Sequence, residues 1–192
     1  EFYQNEGYID FEIKDVKFEY FTPKKMVIRF LISEGRQYKI GNLTFKGNTL
    51  FPTDDIMKGF TIEGRQKHVS MTVGKTFTPK GLASDVDAIR DYYGTKGYID
   101  TRIAAIKNAN TTTGTMDLTY DIDEGNKSFI ERIEIKGNDK TKDKVIRREL
   151  AVSPGEVYDM VRVKLSKERL EGLRFFEKID TQSEDTDVPN RK

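Results

Sequence analysis

Few residues in this chain have the types and spacing for covalent or metal chemistry. Its 192 residues include no cysteine and a single histidine, His68. Thiolate nucleophiles, disulfides and Cys-ligated zinc therefore fall away. A Ser–His–Asp arrangement would have to be built on His68, which lies between Lys67 and Val69 in a stretch that reads as an exposed loop. The carboxylates are abundant but have plainer uses. Asp54-Asp55 suit the first turn of a helix, and Asp117, Asp121, Asp123 and Glu124 lie on a strand, not in the glycine-centred loop that calcium needs. Gly74-Lys75 lacks the upstream glycine of a phosphate-binding loop. These patterns read as a non-enzyme without cofactor or metal.

Charge points away from nucleic acid. The 33 Lys+Arg nearly cancel the 32 Asp+Glu, leaving +1, so no broad positive field exists to hold phosphates. The densest basic cluster is Lys140, Lys142, Lys144, Arg147 and Arg148. It reads either as a solvated helix face or as a docking surface, with Lys144, Arg147 and Arg148 as its candidate residues; Lys164, Lys167 and Arg169 could extend it. Charged residues make up 34% of the chain, against about 25% in average globular proteins, which suits small cores with much surface. No run approaches the roughly 20 apolar residues of a membrane helix. The opening Glu1-Phe2-Tyr3 reads as the interior of something longer.

An internal repeat organises the rest. Gly7-Tyr8-Ile9-Asp10 returns as Gly97-Tyr98-Ile99-Asp100, Glu34-Gly35 as Glu124-Gly125, and Lys46-Gly47-Asn48 as Lys136-Gly137-Asn138, each 90 residues later. Residues 7–48 and 97–138 share 15 identities in 42 ungapped positions. Met116, Leu118, Tyr120 and Ile122 alternate with Asp117, Thr119, Asp121 and Asp123, the mark of a strand with one wet face. Ile99, Thr101 and Ile103 begin a preceding strand, with a turn over 108–114. The first copy has the same hairpin, turning at Thr22-Pro23-Lys24. Residues 38–46 and 129–136 each read as a strand ended by Gly-Asn.

Helical signals follow each Gly-Asn. Thr53 precedes Asp54, Asp55 and Ile56, as an N-cap followed by first-turn acids would. Leu82, Val86, Ile89 and Tyr93 form one helical stripe, ended by Gly97. The next copy has Val145, Ile146 and Leu150 in its first helix, and Val161, Leu165, Leu170 and Leu173 in its second. Gly74 and Gly155 are 81 residues apart, so the middle copy carries about nine extra residues, read as a loop insertion around 67–75 that includes His68.

The unit is therefore β-α-α-β-β, an α+β fold with a three-stranded mixed sheet and two helices on one face. The simplest path makes strands one and three parallel and gives the order 1–3–2. Strand two then has an unpaired backbone edge able to accept another extended chain. Ile9, Phe11 and Ile13, with Ile99, Thr101 and Ile103, are the candidate partner-binding residues on such edges. The expected division is 1–35 as the C-terminal part of one unit (end of its second helix, second and third strands), 36–125 as a complete unit, and 126–192 as a unit lacking its last strand. That last unit reaches a second strand near 177–183 and then runs polar to Lys192. The two partial units should borrow packing from neighbours or from the middle one.

These residues resemble the POTRA (polypeptide-transport-associated) domain, and their serial arrangement is similar to the arm of the outer-membrane assembly factor BamA family. The resemblance rests on the Glu-Gly joints, the Lys-Gly-Asn strand ends and the Gly97-Tyr98 helix stop. It also rests on Gly137-Asn138-Asp139-Lys140-Thr141, Arg147-Arg148-Glu149-Leu150, Pro154-Gly155, and Glu168-Arg169-Leu170 through Phe175-Phe176-Glu177, which resemble the barrel-proximal module. One departure is Leu173-Arg174-Phe175-Phe176, where the family usually has Leu-Gly-Phe-Phe; either Arg174 takes a left-handed conformation or Gly172 shifts the helix end. The resemblance implies a periplasmic location and attachment to a C-terminal outer-membrane barrel. Its implied partners are unfolded outer-membrane β-barrel precursors and accessory lipoproteins. Related readings are the POTRA region of a secretion transporter, a translocation-and-assembly factor, or an interaction module of the kind found in division proteins.

Overall fold

The computed structural model describes residues 2–22 and 25–192. Short helix α1 (Phe2–Asn5) leads into strands β1 (Glu12–Thr22) and β2 (Lys25–Ser33). There follow β3 (Lys39–Lys46), α2 (Thr53–Lys58), β4 (Phe60–Ile62), β5 (Arg65–Lys67) and α3 (Pro79–Thr95). Strands β6 (Arg102–Asn110) and β7 (Thr115–Asp123) come next, then helices α4 (Asp143–Glu149) and α5 (Met160–Gly172). The described residues gather into two compact units. One takes in those up to Lys46 with Val69–Val86 and Ala104–Asp121; the other comprises Gly47–His68, Asp87–Ile103 and Ile122–Lys192.

In the first unit β1 and β2 pair antiparallel. The turn expected at Thr22-Pro23-Lys24 lies partly outside the described residues. Tyr20, Phe18, Val16 and Ile13 stand opposite Met26, Ile28, Phe30 and Ile32, so one face of the hairpin is wholly apolar. Strand β3 runs parallel to β7, and the sheet order is β3-β7-β6, the 1–3–2 order expected. Along β7, Met116, Leu118, Tyr120 and Ile122 are buried and Asp117, Asp121 and Asp123 exposed. The alternation read from the residues is thus the alternation of core and solvent. Asp85 is fully buried at the heart of this unit. It accepts hydrogen bonds from Ser70 N (2.7 Å), Ser70 Oγ (2.8 Å), Met71 N (2.8 Å) and Tyr120 Oη (3.0 Å).

In the second unit Phe51 packs edge-on against Tyr92, Tyr93 and Tyr98. The N-cap of α2 is Pro52, not Thr53, and no side chain caps the helix. The Thr53 hydroxyl instead accepts from Asn48 Nδ2 at 3.1 Å, which ties the Gly-Asn turn to the helix start. The extra residues of the middle copy are also relocated. They form the β4–β5 hairpin, which pairs Phe60 with Lys67 and turns at Glu63-Gly64. Residues 69–74 are the counterpart of 150–155: Ser70 N and Met71 N donate to Asp85, and Ala151 N donates to Ser166.

The last repeat departs from expectation most. Residues 129–136 and 177–183 form no ladder strand. In the order 1–3–2 both outer strands depend on the central one for hydrogen bonds, and among the described residues only an isolated bridge stands in that place. Phe129 bridges Arg191 in parallel, with Phe129 N donating to Asn190 O (2.9 Å) and Glu131 N to Lys192 O (2.8 Å). Residues 190–192 lie along 129–131 through this one isolated bridge, and no strand forms over 184–192. Beside them is a groove of about 640 Å³ whose lining includes Ile130, Ile146, Leu150, Val163 and Leu170. At the end of α5, Arg174 takes φ 56° while Gly172 stays helical. Arg174 therefore bears the left-handed turn.

Candidate partner-binding edge and joints

Strand β6 stands at the end of its three-stranded sheet, hydrogen-bonded to β7 on one side. Of the residues expected on this edge, Ile103 lies in β6 and is half-buried, while Ile106 further along is exposed. The strand begins at Arg102, so Ile99 and Thr101 precede it. Thr101 is buried, its hydroxyl 2.8 Å from the Tyr98 carbonyl and 3.0 Å from the Glu124 carbonyl. That role is structural, and it replaces the strand-opening place expected for Thr101. In the first copy Ile13 is exposed on β1, whereas Ile9 and Phe11 come before the strand and Phe11 stacks on Tyr3 with centroids 4.2 Å apart. The shared reason is the joint. The segment after each Gly-Tyr packs back on the connection to the next repeat before the chain becomes extended.

The joints are the most repeated part of the molecule. Gly7 O accepts from Tyr38 N (3.0 Å), and 90 residues on Gly97 O accepts from Ser128 N (2.8 Å). Tyr38 O then accepts from Phe77 N (2.8 Å), and Ser128 O from Tyr158 N (3.0 Å). Gly7 and Gly97 have φ of 90° and 96°, a region where other residues are strained. A side chain at Gly7 would strike Thr76, and one at Gly97 would strike Val157. Glycine is thus required twice over at each joint.

Two carboxylates serve the second joint. Glu124 accepts from Thr49 Oγ1 (2.5 Å), Leu50 N (2.9 Å) and Tyr93 Oη (2.8 Å). Burial opposes its charge, but these donors outweigh burial and hold the carboxyl below the usual Glu range. Burial and then Glu124 push the Tyr93 hydroxyl up, so it stays a donor. Asp91 on α3 lies between Lys67 and Lys164, each at 2.6 Å. Burial again opposes its charge, and the two ammonium groups together keep it below the usual Asp range. The first joint has a lighter version, with Tyr38 Oη donating to Asp10 at 2.7 Å.

The basic candidates sit on α4. Lys144 is exposed, Arg148 pairs with Glu149 (3.1 Å), and Arg147 is engaged twice, with Asp143 (2.9 Å) and the Ile133 carbonyl (3.1 Å). Arg147 therefore also braces its own repeat. His68 is exposed. Among the described residues no cluster of three or more His, Asp or Glu could hold a metal ion, and no helix is long and apolar enough to cross a membrane. Sequence reasoning missed Asp85 and Asp91. The signal for Asp85 was an acid set inside the apolar stripe of Leu82 and Ile89; Asp91 had none.

The POTRA family profile, described as a surface antigen variable number repeat, matches residues 38–125 and again 128–192. The outer membrane protein assembly factor BamA of Neisseria meningitidis is 31% identical over 180 residues, covering 93% of this chain and 22% of that protein. BamA of Nitratidesulfovibrio vulgaris is 27% identical over 188 residues, covering 98% of this chain and 22% of that protein. The chain thus spans about a fifth of these curated relatives. The crystal structure of Haemophilus influenzae BamA POTRA3-5 superposes with a TM-score of 0.70 at 20% identity, covering 99% of this chain and 72% of that one; at that identity the likeness speaks for the fold. With its profile matched twice along the β-α-α-β-β order, the chain belongs to the POTRA family.

Proposed function

We propose that the chain is the POTRA segment of an outer-membrane β-barrel assembly factor, working as a periplasmic scaffold that receives unfolded barrel precursors. It comprises the tail of one module (1–35), a full module (36–125) and most of a barrel-proximal one (126–192). The observation that carries this reading is the open edge of β6, nine residues long and paired on one side only. Main-chain pairing tolerates varied client sequences because side chains need only avoid clashes. Lys144, Arg147 and Arg148 on α4 form the surface offered to an accessory lipoprotein, where charge governs encounter more than affinity.

The BamA relatives support assembly over secretion as the parent activity. The test is a photo-crosslinker placed in turn along 102–110 and along β7, with an unfolded outer-membrane β-barrel protein as probe. Crosslinks concentrated on β6 support strand addition; equal crosslinking on the sheet face of β7 would overturn it.

A further inference from the structure

Asp91 joins three elements that are far apart in the chain. It lies on α3 with its side chain 4% exposed, and its oxygens meet Lys67 and Lys164, whose side chains are 49% and 54% exposed. Lys67 ends the β4–β5 hairpin, the insertion that the middle repeat has and the last repeat lacks; Lys164 lies on α5 of the last repeat. The turn of the same hairpin reaches the same helix, with Glu63 Oε1 accepting from Arg169 Nη2 at 3.0 Å. Glu63 makes this contact at φ 47°, a left-handed conformation that strains a non-glycine residue. Between these ties α3 and α5 come close at Gly94, where a Cβ would lie 2.8 Å from Met160 Cε. Asp91 is one turn before Gly94, and Lys164 one turn after Met160. The close packing and the ion pair therefore share one face of each helix.

We infer that the inserted β4–β5 hairpin is a strut that fixes the angle between the middle and last repeats, with Asp91 as its anchor. Exposed pairs such as Glu63–Arg169 contribute little alone. A buried carboxylate between two lysines is different, because its removal leaves two ammonium groups facing each other over an emptied site. Tandem modules otherwise reorient freely unless their interface is large and apolar. The inference holds whether or not β6 accepts clients.

The absence of cysteine makes the test direct. Spin labels at Asp54→Cys on α2 and Lys144→Cys on α4, both exposed, report the inter-repeat distance in the full chain. One narrow distribution is expected, widening roughly twofold in the Asp91→Ala/Glu63→Ala variant with unchanged circular dichroism. An unchanged width in that folded variant would overturn the inference. If the variant fails to fold, Lys164→Ala decides, because it removes one of the two half-exposed partners of Asp91: the distribution should widen, and an unchanged width would sink the strut.

Discussion

The Tyr93 hydroxyl donates to Glu124 Oε1 at 2.8 Å, and 90 residues earlier Tyr3 donates to Glu34 Oε1 at 3.2 Å. The last helical turn of each copy is thereby pinned to the end of its own hairpin. The second version is the stronger, because Glu124 also binds Thr49 and Leu50.

Glu124 should make stability pH-dependent. Its folded pKa lies below its ordinary value. The stabilisation is therefore complete above the unfolded pKa of about 4.3 and is lost as pH falls through the folded value. Glu124→Gln is expected to lose about 1–2 kcal/mol at neutral pH. Urea midpoints should then differ between wild type and variant at pH 7 and converge once pH has fallen through the folded value.

Asp85 has four donors and no solvent. Asp85→Ala leaves two N–H groups and two hydroxyls unpaired in the core, which should cost about 3 kcal/mol or more. Asp85→Asn keeps an acceptor and should cost less. Urea unfolding followed by tyrosine fluorescence measures both.

Arg174 should be a stabilising site. Its φ of 56° is a conformation glycine enters freely, and the relief outweighs the extra freedom of glycine in the unfolded chain. Arg174→Gly is expected to gain about 0.5–1 kcal/mol, seen as a higher urea midpoint.

Strand addition predicts a split between neighbouring prolines. On an edge strand alternate N–H groups face the partner strand and the open side. Of Ala104→Pro and Ala105→Pro, one should mainly lower stability and the other mainly lower crosslinking to an unfolded barrel protein. Thr101 is unsuitable for this experiment, since its buried hydroxyl holds the joint. Equal losses in both measurements for both variants would count against edge pairing.

The basic surface should be tested without Arg147, whose guanidinium also braces the Ile133 carbonyl. Lys144→Glu/Arg148→Glu should weaken capture of a purified accessory lipoprotein at low salt, and by less at high salt, where screening already removes the attraction. Undiminished capture at both salt levels would remove α4 from the docking surface.

Local alternation made β7 legible, because Met116, Leu118, Tyr120 and Ile122 face a core within their own repeat. The α3 stripe was legible for the same reason. The β4–β5 hairpin was not: Arg65-Gln66-Lys67 is exposed throughout, so no apolar period marks it, and its role lies in ion pairs with distant residues. Residues 129–136 show the converse failure. Ile133 and Ile135 read as a strand, but a strand is a relation between two chains, and a single segment does not report its neighbour. Thr101 was misplaced because its β-branched type suits a strand, while its hydroxyl serves the turn before it.

The seats at Gly7 and Gly97 are built from carbonyls and amides, with Tyr38 replaced by Ser128 at no loss to the bond. A repeat that carries such a socket and begins with the matching plug can be copied in tandem and dock onto itself at once. Lengthening an arm of this kind by gene duplication needs no new interface to evolve first, leaving side chains at each copy free to diverge toward separate duties.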